Sequence, residues 1–215
     1  MTQTDTEENE TAVTVYSDYV CPFCYIGKES LDRYREETEK EVRVDWHPFD
    51  LRAQKRRPNG EIDHSVEDGK DEAYYEEARN NVEKLKEKYD VEMVEFDEVP
   101  EDIDSLDAQV ASFYAKETHP EKWEDFDEAV FDALWSEGRD IGDAEVLAEV
   151  AEGVGLDADE IRDVLEDDGL RERLSEAFLE AQEDGIVGVP TFIHGEDFCR
   201  GAVPPEQLER LVEGT

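Results

Sequence analysis

The chain has 215 residues, enough for one domain with a sizeable core, and its 62 Asp and Glu against 22 Lys and Arg give a formal net charge of −40 at pH 7. This balance argues against direct nucleic-acid binding, which needs a basic face, and against binding to anionic membranes. Disorder of the whole chain does not fit, because apolar residues recur at helix and strand periods. We interpret the acidic coat as an adaptation to high salt, which screens self-repulsion, and expect a halophilic archaeon as the source.

Residues 1–11 are predicted to form a disordered acidic tail, because "MTQTDTEENET" is polar and has no periodic apolar pattern. It lacks the basic and apolar regions of a secretory signal, and no apolar run approaches membrane-spanning length. We therefore expect a cytoplasmic protein without membrane contact. In that compartment a close cysteine pair is more often catalytic or metal-binding than structural.

The first structured unit is predicted to be a βαβ unit. Ala12–Asp18 has the β-branched and aromatic composition of a strand, and residues 18–21 form a turn. Pro22 suits the first position of a helix that runs to about Lys40, since a helix does not use the N–H at that position. A second strand follows over Glu41–Phe49, where Val42, Val44 and Trp46 alternate.

The middle of the chain is predicted to be helical, as an insertion over residues 65–186 between two parts of one domain, residues 12–64 and 187–215. Helices are expected over Ala73–Tyr89 and in segments beginning at Ser105, Pro120, Gly142, Asp157 and Gly169. Four aromatic residues at helical spacing are expected to form the helical core rather than a substrate groove: Trp123, Phe126, Phe131 and Trp135. A basic cluster in the preceding loop, "RAQKRRP", is expected to be solvated and to pair with nearby acids.

The C-terminal part returns to strand character. Thr191–His194 is predicted as a strand entered through Pro190, "FCRGA" as a second short strand, and "PPEQLERLVEG" as a terminal helix. The predicted order is therefore βαβ, a long helical block, then ββα.

Cys21 and Cys24 form a C-x-x-C pair where the first strand passes into the first helix. The unpaired N–H groups and the positive dipole end of that helix favour the thiolate form of Cys21. Cys24 lies one turn further, shielded by Phe23 and Tyr25. This arrangement predicts that Cys21 attacks a disulfide and Cys24 resolves the mixed disulfide. A metal site is the weaker alternative, because the remaining Cys and His residues form no close ligand pair, and two merely buried thiols are another.

The motifs "SDYVCPFCYIGK", "WHPFDL", "GRDIGDAEVLAEVAEGVGLD" and "GVPTFI" resemble the DsbA family of the thioredoxin superfamily, and within it the cytosolic FrnE-like branch. The resemblance implies an α/β, thioredoxin-like fold with a large all-helical insertion. It implies that Cys21, Cys24 and Pro190 are catalytic, and that the Val189–Pro190 bond is cis and faces the cysteines. We assign Val189, Pro22 and Phe23 to substrate binding. The implied function is a thiol–disulfide oxidoreductase of the protein disulfide oxidase or isomerase type, acting on protein thiols and disulfides, with a low-molecular-weight thiol as a further partner. No metal is expected, and no cofactor beyond the cysteines.

Several residues depart from this pattern or stay secondary. Phe23 stands where the periplasmic relative has histidine, and Val15 stands where thioredoxin-like relatives often carry a buried carboxylate. A proton acceptor for Cys24 is therefore not evident, since the direction of the Asp18 side chain is open. Lys28 is expected to be a solvated charge, and Cys199 a small apolar filler on a strand.

Two other functions remain as alternatives. The chain also resembles kappa-class glutathione transferases and 2-hydroxychromene-2-carboxylate isomerases, which have a serine at the position of Cys21, so the intact cysteine pair argues against this alternative. A chaperone-like binding module, in which the cysteines only lock the fold, is the other.

Overall fold

The first strand of the chain is one of the two inner strands of a four-stranded sheet and pairs on both of its edges. The computed structural model describes residues 11–38, 41–57, 59–67 and 69–214. The four strands are β1 Thr11–Ser17, β2 Val42–Pro48, β3 Thr191–His194 and β4 Asp197–Arg200, in the sheet order β2-β1-β3-β4. β1 runs parallel to β2 and antiparallel to β3, and β3 runs antiparallel to β4. The parallel pair needs a crossover connection, which the first helix provides.

The helices occupy the positions that the apolar periodicity predicts. They are α1 Pro22–Thr38, α2 Glu72–Tyr89, α3 Leu106–Thr118, α4 Pro120–Trp135, α5 Ala144–Gly153, α6 Ala158–Leu165, α7 Asp168–Glu183 and α8 Pro205–Glu213. The predicted thioredoxin-like order of βαβ, helical insertion and ββα is therefore confirmed. The predicted tail lies outside the described residues, except for Thr11, which belongs to β1.

Two apolar clusters hold the sheet and the helices together. One joins Val13, Leu31 and Phe192 to α8. The other, larger cluster runs from Tyr19 and Trp46 through the helical block, and it contains the four aromatic side chains predicted as its core, each at most 4% exposed. The helical block thus packs against the sheet through the larger cluster, to which β2 contributes Trp46. The exact domain bounds at 64/65 and 186/187 stay a prediction.

Part of the acid excess stabilises helix starts. Asp71, Asp143, Asp157 and Asp167 each precede a helix, and each side chain accepts a hydrogen bond from a first-turn backbone N–H. A carboxylate at this position satisfies an unpaired donor and interacts favourably with the helix dipole.

Two residues of the basic cluster in the loop after β2 pair with acids, as expected, but Arg56 is not solvated, since its side chain is only 11% exposed. The Arg56 guanidinium contacts Asp50 at 2.6 Å and Asp104 at 2.8 Å, and Arg57 contacts Asp63 at 3.1 Å. Its charge is therefore largely neutralised locally. Among the described residues, no helix combines the length and the apolar composition that crossing a bilayer requires.

Candidate active site

Cys21 occupies the N-cap of α1, directly before Pro22. Its carbonyl oxygen accepts from the backbone N–H groups of Cys24 at 2.9 Å and Tyr25 at 3.3 Å, and its own N–H donates to the Asp18 carbonyl oxygen at 3.1 Å. These bonds fix the turn between β1 and α1. They place the Cys21 side chain beside the first-turn N–H groups, where the helix dipole favours an anion.

The two cysteines form a close dithiol. Both thiols are free, and Cys21 and Cys24 approach each other to 3.4 Å. Cys24 is only 2% exposed. Burial raises the pKa of its thiol well above the usual range, and the hydrogen bond with Cys21 raises it further. The pair is therefore asymmetric, because Cys21 lies at the helix terminus and Cys24 is held as a protonated thiol behind it.

The C-terminal part of the chain completes the site. The Val189–Pro190 peptide bond is cis, as the resemblance implies, and the Cys21 thiol donates to the Val189 carbonyl oxygen at 3.7 Å. These two residues are separated by 168 positions in the sequence. The connection that precedes β3 is held by a hydrogen bond from the Thr191 hydroxyl to the Gly188 carbonyl oxygen at 2.7 Å.

Gly27 allows α1 to approach this loop. A Cβ atom at Gly27 would lie 3.0 Å from Pro190 Cγ and 3.1 Å from Phe192 Cζ, closer than almost all real contacts of that kind. The glycine of the "CYIGK" segment is thus a requirement of packing. Because glycine has no side chain, α1 can pack directly against the cis peptide.

The residues assigned to substrate binding lie around the pair. Pro22 and Phe23 are half-buried in the first turn of α1, and Val189 is half-buried beside Cys21. Val187, which the sequence analysis did not assign, is 77% exposed two residues before Val189. Together they present apolar side chains near the dithiol, and their roles stay predictions.

Asp18 points into the protein. Its Oδ1 accepts from the Ser105 hydroxyl at 2.5 Å and the Val20 N–H at 3.2 Å, and its Oδ2 accepts from the Leu51 N–H at 2.9 Å. Burial raises the pKa of Asp18 to about 6, although the hydrogen bonds from Ser105 and Leu51 lower it. This carboxyl ties the active-site turn to the loop after β2 and to the start of α3.

Helix α4 holds the residues that flank both cysteines. The Tyr19 hydroxyl donates to Asp127 Oδ1 at 2.7 Å, and Trp135 Nε1 donates to the Tyr19 carbonyl oxygen at 2.8 Å. Beyond Cys24, the Tyr25 hydroxyl donates to Asp132 Oδ1 at 3.1 Å. The insertion therefore forms one wall of the site, which no local motif in α4 indicates.

A cavity of about 100 Å³ lies behind the cysteine pair, between α1, α4 and the sheet. Cys24 and Lys28 of α1, Val15 of β1 and Asp127 of α4 are among the residues that line it. The expectation that Lys28 is solvated is wrong, since its side chain is 16% exposed and its Nζ lies 2.6 Å from Asp32 Oδ2. Burial acts to lower the pKa of Lys28, but Asp32 outweighs it and the pKa is raised.

The remaining candidate ligands are not gathered into a site. Cys199 is buried on β4 opposite Phe192, and burial raises the pKa of its thiol to about 11, which agrees with an apolar filler. Within the described ranges, no group of three or more His, Cys, Asp or Glu side chains is placed to hold a metal ion.

Comparison with known proteins agrees with this geometry. The family profile described as DSBA-like thioredoxin domain matches residues 12–213. An uncharacterized Bacillus subtilis protein, YwbO, is 33% identical over 205 residues, which cover 93% of this chain and 94% of the relative.

Solved structures show the same fold. The cytosolic disulfide reductase DsbM from Pseudomonas aeruginosa is 19% identical with a TM-score of 0.63, over 94% of this chain and 92% of that one. A 2-hydroxychromene-2-carboxylate isomerase is 20% identical with a TM-score of 0.75, over 94% and 93% of the two chains. At such identities the likeness concerns the fold alone.

Proposed function

We propose that this chain, which belongs to the family of DSBA-like thioredoxin domains, is a thiol–disulfide oxidoreductase that acts on protein thiols and disulfides through Cys21 and Cys24. The observation that carries the proposal is the position of Cys21. Its sulfur lies at the N-terminus of α1 and 3.7 Å from the carbonyl oxygen of Val189, in the cis Val189–Pro190 peptide. A helix N-terminus stabilises an attacking thiolate, and an exposed backbone edge beside it can hold a substrate peptide.

The reaction follows from the asymmetry of the pair. In the reducing direction the Cys21 thiolate attacks a substrate disulfide, and one substrate sulfur leaves as a thiolate. Cys24 then attacks Cys21 Sγ, the Cys21–Cys24 bond forms, and the second substrate thiolate leaves. Two electrons pass from the dithiol to the substrate, and the oxidising direction is the reverse of these steps.

Substrate selection is proposed to use the backbone rather than a deep pocket. An extended peptide can pair with the backbone at Val189 while its cysteine faces Cys21. Pro22, Phe23 and the exposed Val187 are proposed to supply apolar contacts to such a peptide. Such a surface accepts many sequences, as an enzyme acting on diverse protein disulfides requires.

We assign the chain to the FrnE-like branch and place it in the cytoplasm of a halophilic archaeon. The cytoplasmic assignment is supported by its likeness to a reductase described as cytosolic, and the halophilic one by the charge of −40. A structure of that reductase is described with GSH, which makes a low-molecular-weight thiol a candidate partner for recycling the dithiol.

Reactivation of scrambled ribonuclease in molar KCl tests the proposal. We expect the wild type to reactivate the substrate and Cys21→Ser to be inactive. In Cys24→Ser the mixed disulfide on Cys21 should accumulate, which mass spectrometry of the acid-quenched reaction detects. Equal activity of the wild type and Cys21→Ser would refute the redox mechanism and favour the chaperone-like binding module. Glutathione-dependent isomerisation of a chromene carboxylic acid that is unaffected by Cys24→Ser would favour the isomerase alternative.

A further inference from the structure

Cys24 cannot act without losing a proton that its surroundings retain. The thiol is 2% exposed, and burial raises its pKa well above the usual range. Cys21, 3.4 Å away, is itself only 4% exposed. Only a thiolate attacks a disulfide at a useful rate, so the resolving step needs a base within reach of Cys24.

The cavity behind the pair offers the route. It has a volume of about 100 Å³, and Cys24, Ser17 and Asp127 line it. Its lining is mixed, since polar side chains such as Asp127 alternate with apolar ones, and its volume exceeds the roughly 10–15 Å³ that one water needs. Val15 contributes an apolar surface from β1, so the strand itself supplies no carboxylate to this space.

We infer that Asp127, on α4, accepts the proton of Cys24 through water in this cavity and releases it toward solvent at the cavity mouth. Asp127 is then a proton-relay residue, contributed by the helical insertion, for the thiol exchange proposed above, and the inference depends on that proposed function.

The surroundings of Asp127 suit this role. Its Oδ1 accepts from the Tyr19 hydroxyl at 2.7 Å, while its Oδ2 meets no hydrogen-bond donor among the described residues. Burial raises the pKa of Asp127 to about 6, although Tyr19 and Lys28 lower it, and the charges of Asp32 and Glu124 raise it further. A base whose pKa lies near the working pH can both take a proton and return it.

Groups from each neighbouring element face this carboxyl. Tyr19 comes from the active-site turn, Lys28 and Asp32 from α1, and Glu124 from α4 itself. Arg35 lies at the mouth, 2.9 Å from Glu124. Charged side chains of α1 and α4 thus surround the carboxyl and line the cavity.

Asp18 is the competing base, since its charge and its backbone also act on the Cys24 thiol, but its hydrogen bonds argue against it. Both of its oxygens already accept from donors of the protein, namely Val20, Ser105 and Leu51, and Asp18 is not among the residues that line the cavity. A carboxylate held by three donors fixes a turn better than it exchanges protons.

The proton and electron balance of the step is complete. The proton of Cys24 passes to Asp127 as the Cys24 thiolate attacks Cys21 Sγ. The Cys21–Cys24 bond forms, and the bond from Cys21 to the substrate sulfur breaks. The substrate leaves as a thiolate and takes a proton from solvent, and Asp127 returns its own proton to solvent. In the oxidising direction protonated Asp127 supplies the proton that the leaving Cys24 sulfur accepts.

A two-phase reaction with Ellman's reagent isolates this step. Cys21 reacts first and releases one coloured thiolate, and attack by Cys24 then releases the second. We expect the second-phase rate of the Cys199→Ala background to rise with pH and level off above an inflection near 6, where Asp127 ionises. Adding Asp127→Asn should slow that phase by about a hundredfold, at the low end of general-base effects, and remove the inflection, while the first phase stays unchanged.

Matched variants make the outcome decisive. Asp132→Asn changes an aspartate on the same helix that also accepts from a tyrosine but does not line the cavity, so it should keep the inflection. Circular dichroism checks that Asp127→Asn is folded. An inflection that survives Asp127→Asn and disappears in Asp18→Asn would overturn the inference. A wild type that never releases the second thiolate would instead contradict the proposed function itself.

Discussion

Replacing Gly27 with alanine should loosen the contact between the two parts of the active site. The added Cβ would lie 3.0 Å from Pro190 Cγ and 3.1 Å from Phe192 Cζ. Neither neighbour moves easily, because Phe192 is 1% exposed and the Pro190 carbonyl oxygen accepts from the Gly201 N–H at 2.8 Å. Alanine gains about 0.5–1 kcal/mol of helix propensity, but overpacking costs about 1–3 kcal/mol. At the middle of these two ranges, the net loss in the free energy of unfolding is about 1 kcal/mol.

The same displacement should slow catalysis. If Pro190 moves outward, the Val189 carbonyl leaves Cys21, and a misplacement of this kind lowers the exchange rate by about tenfold. Urea unfolding followed by tryptophan fluorescence measures the stability, and insulin reduction measures the rate. Gly153→Ala is the control, since a Cβ at Gly153, at the end of α5, meets nothing within 4 Å. A Gly27→Ala protein as stable and as active as the wild type would refute the argument.

Three further predictions follow from charge and burial. Folding raises the pKa of Asp127 from 3.8 to about 6, so the stability that its protonated form contributes is present below pH 3.8 and lost as the pH rises through 6. In urea titrations, Asp127→Asn should thus have the same free energy of unfolding as the wild type in acid. At neutral pH it should be more stable by about 3 kcal/mol, since one pKa unit corresponds to about 1.4 kcal/mol. A difference in stability between the two proteins that does not change with pH would contradict this. Because the net charge is −40, the urea midpoint should rise between low-salt buffer and molar KCl, whereas a flat response would show that self-repulsion is unimportant. Cys199→Ala should leave the rate of insulin reduction unchanged, since Cys199 is buried on β4 opposite Phe192; loss of exchange in a folded variant would give that thiol a role.

The sequence was sufficient for the elements of the fold and for the dithiol. The strands and helices follow local periodicity, so β1 and α2 lie within one residue of their predicted bounds. The cysteine pair and the Val189–Pro190 segment are both short motifs with a strong local requirement. Their meeting at Cys21 Sγ and the Val189 carbonyl oxygen could be expected only from the family resemblance.

The wall of the site contributed by the insertion could not be read from the sequence. Tyr19 and Asp127 are 108 positions apart, and their contact depends on which face of α4 packs against the active-site turn. The chain has 62 acidic residues, so nothing in the sequence distinguishes Asp127, which is buried, from the acidic residues on the surface. The burial of Lys28 was missed in the same way: its ion pair with Asp32 is local, but the α4 residues that line the same cavity are about 100 positions away in the sequence.

The order of the strands determines how much of the chain must be synthesised before the active site of the dithiol can be complete. Strand β1 can pair with β2 once both are synthesised, whereas its other edge needs β3, and Cys21 needs Val189, which lies 168 positions later. A nascent chain that ends before this segment carries both cysteines and lacks the docking edge. Contacts so distant in sequence form late and slowly. We therefore expect the reactive pair to remain without its substrate platform through most of translation, and to gain it only as the last strands join the sheet.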